Sequence, residues 1–183
     1  MNICHIVPIY LPGILPGCSK YVRDVSKNLI ERGHTLTILT ADAITGRGWV
    51  DPLFGKYSSK KEEMIDGVRV RRLKTRWQIT STVHLLREIV NLFLPRSIGN
   101  IVSLLSAGPY FYHLKKEFEE GRYGVIHATA FPFTLIELTR KACESLGKPF
   151  ICTPLIHFED PSHLNPLLWR ALYDARAVIA CSN

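Results

Sequence analysis

Residues 1–40 read MNICHIVPIYLPGILPGCSKYVRDVSKNLIERGHTLTILT, and the order of their predicted elements indicates the fold. Met1–Val7 is a mostly apolar run that ends at a proline, which predicts a buried strand. Tyr21–Arg32 places its apolar side chains at helical spacing, and Gly33 follows as a signal that ends a helix. Thr35–Thr40 alternates in polarity, as a second strand does. The order strand, helix, strand predicts a βαβ unit, which opens a parallel sheet.

The loop Pro8–Lys20 joins the first strand to the helix and contains three prolines and two glycines. Such a loop lies where backbone N–H groups and the helix dipole favour an anion such as phosphate. Gly17 allows a ligand to come close to the backbone. The dinucleotide fingerprint G-x-G-x-x-G is absent, because Gly13 and Gly17 are four residues apart and Cys18 follows. A loop that only shapes a connection stays an alternative.

The composition indicates a globular protein with a full core, since 46% of the 183 residues are hydrophobic and 21% are charged. The formal net charge of +7 favours phosphorylated ligands, an anionic membrane surface or nucleic acid without choosing among them. No C-x-x-C pair, signal peptide or apolar run of spanning length is evident, so we predict a cytoplasmic protein. We expect its cysteines to be small core residues in a reducing compartment: Cys4, Cys18, Cys143, Cys152 and Cys181.

The middle of the chain begins with a polar stretch and continues with a hairpin. Ala41–Lys61 is rich in Gly, Asp, Ser and Lys, which predicts a surface excursion. Asp66-Gly67 predicts a tight turn between Glu62–Ile65 and the strand Val68–Leu73. The alternating arginines of that strand suit a solvated sheet face better than a nucleic-acid surface, because no aromatic platform accompanies them. We therefore expect no nucleic-acid partner.

Three helices are predicted next, over Thr82–Leu94, Ile98–Leu105 and Pro109–Glu119. The apolar residues of the first cover more than one narrow stripe. This helical insert either buries its surface within the fold or leaves an apolar face for a membrane or a lipid acceptor. We hypothesise a peripheral contact with an anionic membrane through Thr82–Tyr112.

The last third returns to alternating strands and helices. Strands are predicted at Gly124–His127, Pro149–Thr153 and Ala177–Cys181, with helices at Phe133–Leu146 and Leu164–Tyr173. The whole chain therefore predicts an α/β fold: a Rossmann-like, doubly wound, mostly parallel sheet of six or seven strands with an extra helical insert. Because the sequence stops where another loop and helix are expected, we expect it to be a truncated piece of a longer protein.

Ligands of doubly wound sheets bind at the carboxyl ends of the strands, so the residues there are candidates for a site. The strand ending in His127 continues into Thr129, and a later strand runs into Thr153–Asp160, which contains His157. We expect Gly17, His127 and His157 to open onto one edge of the sheet, although a lone histidine is commonly structural.

Two other kinds of site are poorly supported by the sequence. His157, Glu159, Asp160 and His163 could ligate a metal, but Pro161 interrupts any helix that would place them on one face, so no metal is predicted. Ser182 lacks the G-x-S-x-G context of an activated nucleophile.

The order of these motifs resembles the N-terminal domain of the family 4 retaining glycosyltransferases, which have the GT-B fold. The resemblance covers most of the chain outside Ala41–Lys61 and the helical insert, in the pieces PGILPGCSKYVRDVSKNLIERGHTLTILT, DGVRVRRL, GRYGVIHATAFPF, GKPFICTPLIH and ARAVIACSN. It implies that residues 1–183 are the Rossmann-like acceptor-side half of a GT-B enzyme, whose C-terminal donor-binding domain is not in this chain.

The resemblance also implies roles for particular residues. The glycine-rich turn of the family corresponds to Pro16, Gly17 and Cys18, although members often have a second glycine where Cys18 stands. His157 in TPLIH corresponds to a histidine near the transfer site and is the implied catalytic residue. His127 corresponds to a histidine at the end of the preceding strand that shapes the acceptor cleft, and Thr129, two residues later, is also an implied substrate-binding residue.

The implied activity is transfer of a sugar from a nucleotide-sugar donor to an acceptor with retention, in the biosynthesis of a glycan or a glycolipid. The donor would bind mainly to the second domain, which carries an E-x7-E pair of glutamates, and the acceptor could be lipid-linked. No cofactor is expected, and this fragment alone should be inactive. Two alternatives stay open: a non-catalytic module that binds sugars or anions, and a nucleotide-dependent oxidoreductase in which Asp42 would contact a ribose.

Overall fold

The computed structural model describes residues 1–10, 17–45, 55–93, 95–129 and 131–181, with the backbone alone at 84, 88–92, 96, 97 and 161. Within these ranges the fold is α/β, with one mostly parallel seven-stranded sheet and six helices. The strands are β1 (Asn2–Ile6), β2 (Thr35–Ala41), β3 (Glu62–Ile65), β4 (Val68–Leu73), β5 (Val125–Thr129), β6 (Phe150–Thr153) and β7 (Ala177–Val178). The helices are α1 (Gly17–Glu31), α2 (Trp77–Phe93), α3 (Arg96–Ser106), α4 (Leu114–Glu120), α5 (Thr134–Leu146) and α6 (Pro166–Tyr173), with a 3₁₀ turn at Pro161–Leu164.

The strand order β3-β4-β2-β1-β5-β6-β7 confirms the predicted Rossmann-like, doubly wound arrangement. From β1 the chain winds to one side through β2 and β4, and later to the other side through β5, β6 and β7. The pairs among these strands are parallel, and β3 alone is antiparallel, to β4. The winding therefore reverses between β1 and β5, which is where open sheets of this kind form a crevice.

Alternating side chains of the strands enter two separate apolar cores, one on each face of the sheet. In β1, Ile3 packs on the face covered by α1, whereas Cys4 and Ile6 pack on the opposite face with Phe118 and Leu135. A strand buried on both faces needs apolar side chains at nearly every position, which explains the mostly apolar run at the start of the sequence. Helices on both faces supply that burial.

Turn residues adopt the conformations that the sequence predicts. Asp66 and Gly67 both have positive φ, of 50° and 79°, as a two-residue hairpin turn of the primed type requires. Gly147, at φ 61° and ψ 26°, ends α5 in the left-handed conformation. The predicted hairpin and the end of α5 are thereby confirmed.

Several predicted boundaries are wrong. Helix α1 begins at Gly17, four residues before the predicted Tyr21. The buried face of this helix includes Ser19 and Ser26, and small polar residues give no hydrophobic periodicity to detect. Helix α2 begins at Trp77 rather than Thr82, with polar residues in its first turn.

The predicted third helix over Pro109–Glu119 is wrong in its first half. Phe111 bridges to Thr75, and the backbone carbonyl of Tyr110 accepts a hydrogen bond from Arg76 N at 2.8 Å. These pairings hold the segment extended, so that α4 begins only at Leu114.

The predicted buried strand Ala177–Cys181 is also wrong in length and burial, because β7 contains two residues that are both exposed. It pairs in parallel with β6, as predicted. Three cysteines lie in the core, at Cys4, Cys143 and Cys152, but Cys18 is half-buried and Cys181 is exposed.

The helical insert α2 and α3 leaves apolar side chains in solvent. Leu85, Leu86 and Phe93 of α2 are 75%, 47% and 79% exposed, and the exposed apolar residues of α3 are Ile98, Ile101 and Leu105. Neither of these helices, nor any other in the described part of the chain, has the length and hydropathy needed to cross a bilayer. The insert thus keeps an apolar outer surface, which is one of the two outcomes that the sequence allowed. We call these six residues the insert face.

Candidate functional site

A cleft of about 600 Å³ opens at the carboxyl edge of the sheet. Its walls come from the first residues of α1 and from the segments that follow β5, β6 and β7. Gly17 and Cys18 lie on one side and His157 on another, with Phe131 and Phe133 among the apolar lining residues. The topology explains why these segments line one cleft, because the carboxyl ends of parallel strands lie at the same edge of the sheet. Two sequence candidates, Gly17 and His157, therefore line one cleft.

Gly17 begins α1, a helix of 15 residues. A Cβ built at Gly17 would meet no atom of the described residues within 4 Å, so none of those residues blocks the backbone on that side. The amino end of a helix carries a partial positive charge that favours anions. Cys18, the departure from the double-glycine pattern, is half-buried, and burial raises its pKa, which keeps it a thiol. Pro16 is outside the described residues.

His157 is exposed, and the segment around it is held by its neighbour His163. The backbone N–H of His157 donates to Nδ1 of His163 at 3.2 Å, and the two rings meet edge to face with 5.3 Å between centroids. His163 is 4% exposed, and burial lowers its pKa, which favours the neutral ring that accepts this bond. Leu155 has a φ of 52°, an uncommon conformation for leucine, in the same wall of the cleft. The exposed ring of His157 is therefore held beside His163, on a backbone that a hydrogen bond fixes.

His127 does not open onto the cleft edge as predicted, because it is 4% exposed. Its Nδ1 lies 2.7 Å from Nδ1 of His5, and its Nε2 lies 2.8 Å from Oγ1 of Thr153. Tyr21 continues this series, with its hydroxyl 3.2 Å from the same Thr153 oxygen. The four side chains form a line of polar contacts that runs from β1 to Tyr21 of α1, and His127 lies within this line rather than at the surface of the cleft.

Burial explains the protonation of the histidine pair. It lowers the pKa of His5 to about 3 and that of His127 to about 4, so both rings are neutral near pH 7. One Nδ1 must then carry the hydrogen and the other must accept it, which couples the tautomers of the two rings. Thr129 is fully buried, and its hydroxyl has no hydrogen-bond partner among the described residues. Thr129, like His127, is thus inside the fold.

The sequence interpretation did not single out His5, Tyr21 or Thr153. A signal was present, because His5 and His127 each stand in the middle of an apolar strand, where a polar ring needs a buried partner. The register pairs these two residues directly across β1 and β5.

The structure also describes Asp42, the residue that the sequence offered for a ribose contact, and the residues considered as metal ligands. The Oδ1 atom of Asp42 accepts hydrogen bonds from the backbone N–H and the hydroxyl of Thr75, at 3.0 and 2.6 Å. One carboxylate oxygen of Asp42, the residue of the oxidoreductase alternative, is therefore engaged in tying the end of β2 to the segment before α2. In the ranges that the structure describes, no group of three or more His, Cys, Asp or Glu side chains is placed to hold a metal ion.

No protein-family model matches this chain, and no curated protein is similar to it at a significant level. The groups that line the cleft indicate which chemistry it can support. A helix amino end can stabilise a phosphate, an exposed imidazole can donate or accept one hydrogen bond, and the aromatic walls can cover the faces of a sugar ring.

Proposed function

We propose that this chain is the acceptor-side half of a retaining glycosyltransferase that uses a nucleotide-sugar donor. The observation that carries the proposal is the shared cleft, because the amino end of α1 and His157 both line one largely apolar crevice. A sugar transfer needs both kinds of group, since an anionic phosphate leaves while the sugar is held in place.

His157 has the role of orienting the donor sugar in this proposal. Positive charge develops on the sugar and negative charge on the leaving phosphate as the reaction proceeds. The hydrogen bonds to the sugar hydroxyls and the attraction between the α1 dipole and the phosphate therefore both strengthen toward the transition state. The fixed backbone of His157 suits this positioning role, because a pre-oriented ring loses little freedom on binding. His157 is not assigned as a covalent nucleophile.

Gly17 keeps the backbone accessible beside the same crevice. The donor nucleotide would be held mainly by a second domain, as the resemblance implies, and the acceptor would enter over the walls described above. The buried line from His5 to Tyr21 supports α1 from below, which fixes the position of Gly17 relative to the sheet.

We further propose that the acceptor is lipid-linked and that the insert face binds the cytoplasmic surface of an anionic membrane. Exposed apolar side chains on both α2 and α3 favour the lipid boundary, and the net charge of +7 favours anionic headgroups. Exposed cations accompany the insert, because Arg76 lies at its base with its guanidinium 4.9 Å from the Tyr112 ring, and Lys115 and Lys116 follow nearby.

The experiment compares two proteins: residues 1–183, and the product of the complete reading frame. Each is incubated with labelled nucleotide sugars and a membrane-lipid extract. We expect transfer with retained anomeric configuration by the complete product and none by residues 1–183, because one wall alone cannot hold donor and acceptor together. Binding of sugars without transfer by either protein would instead support the alternative of a non-catalytic sugar-binding module.

A further inference from the structure

A second cavity, of about 290 Å³, lies between the helical insert and the segment that follows β5. Thr80 and Arg87 of α2 line it on one side and Ser103 of α3 on another. Pro132 and Phe133 close the side next to the sheet. Phe133 also lines the large cleft, so the two spaces are neighbours across one aromatic ring.

Two side chains that line this cavity each carry a buried hydrogen-bond donor with no partner in the part of the chain that the structure describes. These donors are Nε of Arg87 and the hydroxyl of Thr80. Thr80 is 1% exposed, so water does not hydrate its hydroxyl from outside. A buried donor without a partner costs about 1 to 3 kcal/mol, and more for a charged group, which makes an external ligand favourable.

The cavity has a positive electrostatic character. Arg87 takes part in no ion pair among the described residues. None of the described residues that line the cavity is acidic. The neighbouring carboxylate of Asp160 is already engaged, because its Oδ1 accepts from the backbone N–H and the hydroxyl of Ser162.

The helix geometry brings the two donors toward each other. Thr80 and Arg87 are seven residues apart on α2, which places them on one face two turns apart. A long side chain in a helix leans toward the amino end, and this preference favours an Arg87 conformer directed to the side of Thr80. The wall beside Thr80 is close, since a Cβ on Gly108 would lie 3.0 Å from its Oγ1. The donor positions are thus restricted by packing.

We propose that this cavity binds a phosphate group through Arg87, Thr80 and Ser103. Three donors that approach from two helices suit the three terminal oxygens of a phosphate better than the two oxygens of a carboxylate. The hydroxyl of Ser106 also lines the cavity but donates to the carbonyl of Ser103, so it adds little. The small volume admits an oxyanion and a short substituent, and not a whole nucleotide sugar. This site does not depend on the proposed sugar transfer, because its occupancy is measured without turnover.

The test is calorimetric titration of the full chain with inorganic phosphate at constant ionic strength. We expect saturable binding that Arg87→Gln weakens by about tenfold or more, the loss of one charged hydrogen bond. Arg32→Gln, which removes an exposed guanidinium just after the end of α1, should leave the affinity unchanged. Thr80→Val gives a second, uncharged variant should Arg87→Gln fail to fold.

Further arms identify the source of the phosphate. Acetate should bind at least tenfold more weakly than phosphate. Stronger binding of glycerol phosphate than of inorganic phosphate would indicate a phosphomonoester, and binding only to vesicles that contain phosphatidate would indicate a lipid headgroup. The proposal is overturned if neither phosphate, glycerol phosphate nor those vesicles bind, or if Arg87→Gln and Arg32→Gln weaken binding equally, which is the behaviour of general charge screening.

Discussion

The imidazoles of His5 and His127 are joined Nδ1 to Nδ1 at 2.7 Å, directly across the two strands between which the winding of the sheet reverses. Nε2 of His5 has no hydrogen-bond partner among the described residues, so none of them would stabilise the charge if the ring of His5 were protonated. The pair is thus stable only while both rings are neutral. This relationship makes the fold sensitive to acid.

We predict that the free energy of unfolding falls as the pH drops below 6.5. The pKa values of His5 and His127 are about 3 and 4 in the folded state, below the ordinary value of 6.5, so the unfolded chain binds more protons between these limits. Stability is fully present above pH 6.5, and about 2 kcal/mol is lost for each ring by pH 5. Urea unfolding at a series of pH values measures this slope.

The variant His5→Leu/His127→Leu should flatten that dependence, whereas His113→Gln, at an exposed histidine, should keep it. An unchanged slope in the double variant would show that other groups govern the acid response.

We predict that His157→Ala lowers the turnover of the complete protein about a hundredfold, or ~3 kcal/mol, by removing one oriented contact to the sugar. The side chain is exposed, so the unfolding midpoint should stay the same. Steady-state kinetics and thermal unfolding are measured on the same preparation. His113→Ala is the matched control, and turnover near that of the unaltered protein would make His157 a surface residue without a role.

We predict opposite effects for two glycine substitutions. Gly17→Ala has space for its Cβ and should leave stability within about 0.5 kcal/mol, while the KM for the nucleotide sugar rises because the methyl group enters the cleft. Gly147→Ala forces a φ of 61° on alanine and should cost about 1 kcal/mol without changing KM. Kinetics and denaturant unfolding separate the two outcomes. Equal KM values would place the ligand away from Gly17.

We predict that Arg140→Met destabilises the fold by about 3 kcal/mol, because it leaves the buried Glu137 with only the longer contact of 3.5 Å to the exposed Lys141. Arg140 donates to both carboxylate oxygens of Glu137, at 2.7 and 2.8 Å, and to Asp174 at the end of α6. Adding Glu137→Met should restore most of the loss, since no buried charge then remains. A double variant as unstable as the single one would argue against this account.

We predict that the chain sediments with anionic vesicles at low salt, less so at high salt, and little with neutral vesicles. Leu85→Gln/Phe93→Gln on the insert face should weaken this binding, because it removes two strongly exposed apolar side chains. Tyr173→Gln is the control, at a residue that is 82% exposed on α6. Absence of vesicle binding under all conditions would contradict the membrane proposal.

The fold could be predicted largely from residues 1–40 and the turn glycines, because apolar alternation and left-handed turns are local properties of the sequence. The first residues of the helices were harder to predict, because α1 buries Ser19 and Ser26, which add nothing to the hydrophobic periodicity. The extended conformation at Tyr110 depends on a pairing with Arg76, and a contact so distant in sequence leaves no trace in local composition.

The candidate site was predictable in part for a similar reason. Strand ends bring Gly17 and His157 to one edge by topology alone. Whether a histidine at such an end faces the solvent or the core depends on side-chain alternation over the last residues. His127 shares the face of Val125, under α1, and therefore lies inside. Arg87 and Thr80 could not be assigned at all, since their pocket needs α3 and Phe133 as well.

The position of β1 in the middle of the sheet has a consequence for synthesis of the protein. One edge of β1 pairs with β2, which leaves the ribosome soon after β1. The other edge pairs with β5, where His127, the partner of His5, lies 122 residues further along the chain. At 5–20 residues per second, the nascent chain exposes that edge for roughly 6 to 24 s. The amino-terminal βαβ unit therefore presents an unpaired strand edge during synthesis, and slower translation before residue 125 prolongs its exposure.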